Sequence, residues 1–260
     1  MNFLLVDVSN TRTKIVLANS ETIGERMIVP TAGLTADALT EALAGAGVEA
    51  SRARIDRVVL SSVVPTKNTI FEEQWGDRLT IIDHQTDLGI AIDYPHPEQI
   101  GADRLANTVA AAHLVGSPSI AIDFGTAVTF DVIDDQNGPV YVGGVIAPGL
   151  EAMTHYLHER TALLPKLDLE RPASAIGKST TDAMLVGAVI GYRGLVKEIL
   201  SEVEREMLGE SANRSVPIPV VATGGNAHLV CEDISQIQEI LPNLTLEGLR
   251  LVALRHSSTQ

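Results

Sequence analysis

The feature that most constrains the fold of this 260-residue chain is an internal echo. The segment from Phe3 to Leu17 superposes without a gap on Ser119 to Ile133, an offset of 116 residues, nearly half the chain. Each copy is an apolar strand ending in an aspartate, Asp7 or Asp123. A turn of small residues follows, then a threonine six positions after the aspartate, Thr13 or Thr129, and a second apolar strand. Two readings stand at this point. Any two hairpins share such a pattern, or the chain is a duplicated domain whose two turns face each other across a cleft. In the second case each turn offers a carboxylate and free backbone N–H groups, a frame suited to a metal-bound phosphate chain.

The remaining periodicity supports alternating elements. Strands are expected at 3–8 and 12–18, at Val58–Leu60, at Leu79–Asp83, at Ile120–Asp123 and 128–133, and on a segment passing Gly143 and Gly144 to end near Pro148. A further strand is expected from Val216 to Ala222, ending at Thr223-Gly-Gly225. Helices are expected at 36–46 with Thr35 as N-cap, at 102–115 opened by Gly101, at 179–206 entered by capping-box spacing from Ser179 to Asp182, and at 246–254. The Pro- and Arg-bearing stretch 165–178 reads as a loop. Hairpins mixed with strand–helix alternation point to an α/β protein with mixed sheets, in halves of about 1–115 and 116–260.

Charge narrows the function classes. Nineteen Lys and Arg face 33 Asp and Glu, a formal net charge of −14. Such a surface argues against non-specific nucleic-acid binding and against anionic membranes, though a local site can still take a phosphorylated ligand. Aromatic residues are only 3% of the chain, too few for base-stacking platforms. The single cysteine, Cys231, excludes a disulfide framework, and a reducing cytoplasm is the simplest compartment. Neither a basic leader nor an apolar run of membrane-spanning length is expected. His155 and His158 can share a helix face but lack partner ligands nearby in sequence. HExxH, nucleophile-elbow and P-loop motifs do not occur.

Several blocks together resemble one family. Asp7, Val8, Ser9, Asn10, Thr11, Arg12, Thr13 and Lys14 resemble the first phosphate motif of the acetate kinase/sugar kinase/Hsp70/actin superfamily. More narrowly they are similar to the Asp-x-Gly-Asn-Thr-x-x-Lys pattern of type III pantothenate kinases. Ser61-Ser-Val-Val-Pro65, Gly101-Ala-Asp-Arg104, Asp123-Phe-Gly-Thr-Ala127, Gly143 to Gly149, Thr223-Gly-Gly225 and Leu244 to Leu249 follow in family order. Gly-Ala-Asp-Arg followed about 20 residues later by Asp-Phe-Gly-Thr-Ala is the most specific combination. Ser9 departs from the pattern, standing where the family has glycine. Its hydroxyl either donates to a phosphate or crowds the nucleotide.

The resemblance implies a duplicated ribonuclease-H-like fold and transfer of a phosphoryl group from ATP to pantothenate, the entry step to coenzyme A. It implies roles residue by residue. The turn from Asp7 to Lys14 and Thr126 would bind ATP, with Asp7 positioning Mg²⁺ through water rather than merely capping its turn. Asp103 would be the general base rather than only a favourable helix start. Tyr94, Gly101, Ala102, Asp103, Arg104 and Thr180 would bind pantothenate. Arg104 suits its carboxylate as a fork donor. Asp123 would hold a monovalent cation, K⁺ or NH₄⁺, and Thr223-Gly-Gly225 would lie against adenosine. The implied assembly is a homodimer. The apolar residues spread around helix 179–206, from Met184 to Leu200, fit either a partner helix or an intramolecular cover. The alternatives are a kinase for another small hydroxyl substrate, or a family member that has lost catalysis and acts as a binding or regulatory accessory protein.

Overall fold

The computed structural model describes residues 1–45, 55–209 and 217–257. The chain opens with β1 (Asn2–Val8), β2 (Arg12–Asn19), β3 (Met27–Pro30), α1 (Ala36–Gly45), β4 (Arg57–Ser62), α2 (Thr69–Trp75), β5 (Leu79–Ile81), β6 (Ala91–Ile92) and α3 (Ala102–Leu114). It continues with β7 (Ser119–Phe124), β8 (Ala127–Asp135), β9 (Pro139–Pro148) and α4 (Leu150–Arg160). There follow α5 (Thr180–Leu185), a π-helical turn (Val186–Ile190), α6 (Gly191–Leu208), β10 (Val220–Thr223), α7 (Ala227–Cys231), β11 (Glu239–Ile240) and α8 (Leu244–Ser257).

Two compact units result. One holds Met1–Leu114, Asn137–Tyr141 and Asn243–Gln260, the other Val115–Gln136 and Val142–Pro242. In the first unit the strand order is β3-β2-β1-β4-β5. β1 is antiparallel to β2 and parallel to β4, and β4 is parallel to β5. Its two faces are covered separately. Phe3, Leu5, Val16 and Val59 pack under α3 and α8 through Leu105, Ala106, Leu249 and Val252. Leu4, Val6, Ile15, Val58 and Leu60 pack under α1 and α2 through Leu39, Leu43, Phe71 and Trp75. This sheet is buried on both faces, so its central strands are continuous apolar runs. The start of β9 pairs in parallel with β6 inside the same unit.

The second unit repeats the topology. Its strands run β11-β10-β7-β8-β9, so each takes the place of a counterpart in the first sheet. β7 is antiparallel to β8 and parallel to β10, and β10 is parallel to β11. Ile120, Ile122, Phe124, Phe130 and Val220 share a core with Tyr192, Val196 and Leu200 of α6 and Ala227 and Val230 of α7. The duplication therefore extends to strand order and direction, the ribonuclease-H-like arrangement expected.

The gapless superposition of the two hairpins needs one correction. Lys14 stands opposite Asp7, seven positions on, whereas Thr129 stands opposite Asp123, six positions on. Two residues separate β7 from β8, and three separate β1 from β2. A one-residue change in a turn moves every later side chain to the other face. The structural counterpart of Thr129 is accordingly Lys14, not Thr13. Thr13 faces the other core, where its Oγ1 lies 3.0 Å from Thr31 Oγ1.

Other expectations meet their elements within a few residues. Thr35 Oγ1 accepts from Ala38 N–H at 3.1 Å, the expected N-cap. Ser179 Oγ accepts from Asp182 N–H at 3.1 Å, but Asp182 turns its carboxylate to Lys178 N–H at 3.3 Å. The single helix expected at 179–206 is interrupted by the π-helical turn. Its apolar residues are largely covered inside their own unit: Leu185, Val189, Val196 and Leu200 are buried, and Ala188, Leu195 and Ile199 pack against that core. Ala46 and Val216, the ends of two expected elements, lie outside the described residues. β3, β6, β11, α2 and α7 had no sequence expectation, and α4 only the shared helix face of His155 and His158.

Candidate active site

In the first unit the site begins with strand register. Asp7 lies between Lys14 of β2 and Ser61 of β4. Alternation puts all three side chains on the face that α3 covers, because Phe3, Leu5, Val16 and Val59 point there. Asp7 is only 2% exposed and accepts from Lys14 Nζ at 3.0 Å. Ser9 Oγ lies 3.4 and 3.3 Å from the two Asp7 oxygens. Its backbone is not among the positive-φ positions, so a side chain is accommodated there without strain. Its hydroxyl faces Asp7 rather than standing free.

The turn that follows is held from both sides. Thr31 Oγ1 donates to Ser9 O at 2.7 Å, Thr31 N–H donates to Thr11 O at 3.0 Å, and Val63 N–H donates to Val8 O at 3.0 Å. Asn10, Thr11 and Arg12 remain exposed at its tip. Val8 points into the core under α1 and α2. A fixed turn of exposed polar residues suits phosphate recognition because its donors are set before the anion arrives.

Asp103 sits in the first turn of α3, half-buried, with its Oδ1 accepting from Arg104 N–H at 2.9 Å. Burial pushes its carboxyl above the ordinary value of 3.8, and the negative charge of Asp7 adds to that. The Arg104 backbone N–H and guanidinium oppose the shift. A Cβ on Gly101 would lie 2.5 Å from Asp103 Oδ1, so glycine leaves the carboxylate its place. Arg104 extends over the Tyr141 ring, 5.8 Å from its centroid, and Tyr94 meets the same ring edge-on at 6.0 Å. Ala102 is buried in the core beneath. Tyr141 had no sequence signal, because it arrives on β9 from a different part of the chain.

In the second unit Asp123 is the next-to-last residue of β7, beside Thr129 and Thr223. Gly224, at φ +96°, is required here. A Cβ would lie 2.6 Å from Asp123 Oδ1 and 2.5 Å from Phe124 O. The turn at Gly125 and Thr126 is fixed by Gly149 N–H, which donates to Thr126 O at 3.1 Å, and Thr126 itself is exposed. Tyr192 hydroxyl donates to Pro148 O at 3.1 Å and steadies that approach. Thr180 is exposed at the first position of α5. Cys231 is buried, and that burial pushes its thiol up to about 12.

Residues 3–202 match the model of the family described as type III pantothenate kinase. A type III pantothenate kinase of Akkermansia muciniphila is 48% identical over 254 residues, covering 97% of this chain and 98% of the relative. One from Streptomyces avermitilis is 38% identical, with 98% of each chain covered. The chain belongs to the type III pantothenate kinase family. The fold is shared more widely. The ROK hexokinase of Thermus thermophilus superposes with a TM-score of 0.53 at 16% identity, covering 99% of this chain and 100% of that one. In the present chain, Asp7, Ser9, Lys14, Gly101, Asp103 and Arg104 come together around the start of α3. Asp123 and Thr126 gather around the second turn. Among the described residues no helix is long and apolar enough to cross a membrane.

Proposed function

We propose that the chain phosphorylates pantothenate with ATP, and that Asp103 is its general base. The observation that carries the base assignment is the half-buried Asp103 carboxylate, held at the start of α3 with its pKa raised by burial and by Asp7. The 4′-hydroxyl oxygen of pantothenate forms a bond to the γ-phosphorus, the bond from that phosphorus to the bridging oxygen breaks, and ADP leaves. The hydroxyl proton passes to an Asp103 oxygen. A raised pKa suits a group that must take a proton near neutral pH. Arg104 grips the pantothenate carboxylate, with Tyr94 and Gly101 beside it and Thr180 as a further hydrogen-bonding residue. The turn from Asp7 to Lys14 receives the phosphates, and Thr126 of the second turn adds a hydroxyl.

Mg²⁺ would neutralise phosphate charge when bound. Asp7 fits a water-mediated role toward it: its carboxylate is buried, and in the free protein Lys14 holds it. Asp123 is proposed to hold the monovalent cation, with Gly224 keeping room at one carboxylate oxygen. A coupled ADP-release assay, omitting pantothenate, ATP or Mg²⁺ in turn, tests the reaction. The expected result is turnover only with all three present, and turnover without pantothenate would overturn it. In the same assay K⁺ or NH₄⁺ in place of Na⁺ at constant ionic strength is expected to raise the rate, and Asp123→Asn to abolish the difference. Equal rates in all three salts would remove Asp123 from this role.

A homodimer in the cytoplasm completes the proposal. Its support is apolar surface on the second unit: Met153, Tyr156 and Leu157 of α4, Ile146 of β9 and Ile190 of the π-helical turn are exposed. α4 packs against that turn. Large exposed apolar side chains on neighbouring elements suit a partner surface. Sedimentation at micromolar protein is expected to give a dimer, and Tyr156→Glu to shift it toward monomer with a raised KM for pantothenate. A monomer that turns over at full rate would rule the assembly out.

A further inference from the structure

Ser61 is fully buried and its Oγ has no hydrogen-bond partner. An unpartnered buried hydroxyl costs free energy, and folded proteins keep few of them. Its position supplies a use. Ser61 is the register partner of Asp7 on the adjacent parallel strand, and both side chains lie on the face covered by α3. Neighbouring strands are about 4.8 Å apart, so rotation of a serine side chain spans the gap to a carboxylate beside it. On the other side Asp7 is bonded to Lys14, whose side chain is 29% exposed and reaches the surface. Ser9 contributes only long contacts of 3.3 and 3.4 Å.

We infer that Ser61 is a positioning residue for Asp7, donating its hydroxyl to the Asp7 carboxylate when Lys14 is drawn to the phosphates of a bound nucleotide. A buried carboxylate that loses its ammonium partner needs another donor, and Ser61 holds one in reserve. The free protein carries the unsatisfied hydroxyl, and nucleotide binding satisfies it. The hydroxyl thereby favours the bound state over the free one. The inference rests on reading the Asp7 turn as the phosphate site.

The test is Ser61→Ala, measured with a non-hydrolysable ATP analogue and Mg²⁺. The free variant is expected to melt at or above the wild-type temperature, because an unsatisfied buried group has been removed. Its affinity for the analogue is expected to fall about tenfold, the scale of one hydrogen bond to a charged group, with KM for pantothenate unchanged. A purely structural serine would give the opposite pattern, a lowered melting temperature with both ligands weakened alike, and that result overturns the inference. Unchanged affinity for the analogue also overturns it. Lys14→Ala in parallel separates the two readings. If it weakens the analogue and Ser61→Ala does not, only the Ser61 inference fails. If Lys14→Ala has no effect, the phosphate reading of the turn fails and takes the inference with it.

Discussion

Asp103→Asn is expected to lower kcat by about 10²–10⁴-fold, the usual worth of a positioned general base. The melting temperature at neutral pH is expected to stay level or rise. Both follow from the same geometry. Burial, then the nearby Asp7 charge, lift the Asp103 pKa above 3.8. The folded protein therefore holds this proton more tightly than the unfolded chain does. Ionised Asp103 costs stability above its folded pKa, and the cost fades as pH falls through that pKa. Asparagine keeps the shape and carries no charge, so it removes the cost along with the base. The acid limb of kcat/KM should fall above 3.8 in the wild type, because the base must be ionised to act. Kinetics across pH and a thermal melt of the same variant check the pair. Undiminished turnover would take Asp103 out of the base role. A large fall in melting temperature would show that the carboxylate supports the helix start instead.

Lys14→Met should damage both stability and turnover. Asp7 is 2% exposed and Lys14 is its ion-pair partner at 3.0 Å. Removing one partner of a buried pair costs about 3–5 kcal/mol. The lysine side chain is partly exposed, so water softens the loss, and about 2–3 kcal/mol is expected here. For a chain of this length that corresponds to roughly 5–10 °C in melting temperature. Turnover should fall by about 10²–10³-fold, because a donor proposed to reach the phosphates is lost. Adding Asp7→Asn to Lys14→Met should recover much of the melting temperature, since the orphaned charge is gone. It should not recover activity. Recovery of both would mean that the pair serves the fold alone.

Much of the candidate site could be read along the chain because its parts are local. An apolar strand ending in Asp7, a turn of small polar residues and Lys14 seven positions on form one hairpin. Gly101 to Arg104 form one helix start. Each keeps its meaning within a few residues, since backbone geometry sets the spacing. Elements with weak periodicity were hardly legible. α4 buries only Leu150 and Thr154, and α2 is a seven-residue helix held by Phe71 and Trp75. Neither carries the repeated apolar stripe that marks a helix in sequence.

The amino-acid order by itself determined the duplicated hairpins, the α/β class and the acidic and glycine positions at the ends of strands and helices. These follow from side-chain alternation and from the few residues a tight turn accepts. Three matters required the tertiary structure. Hairpin pairing made Lys14, not Thr13, the counterpart of Thr129, because ladder register depends on turn length. α8, far along the chain, packs against α3 and the β1–β4 face, because that face of the sheet must be covered. Ser61 lies beside Asp7 although it comes 54 positions later in the chain, because β1 and β4 pair in parallel across a crossover. Hydrogen bonding between distant strands leaves no spacing in the sequence, and so Ser61 became visible as a neighbour of Asp7 only once the sheet was assembled.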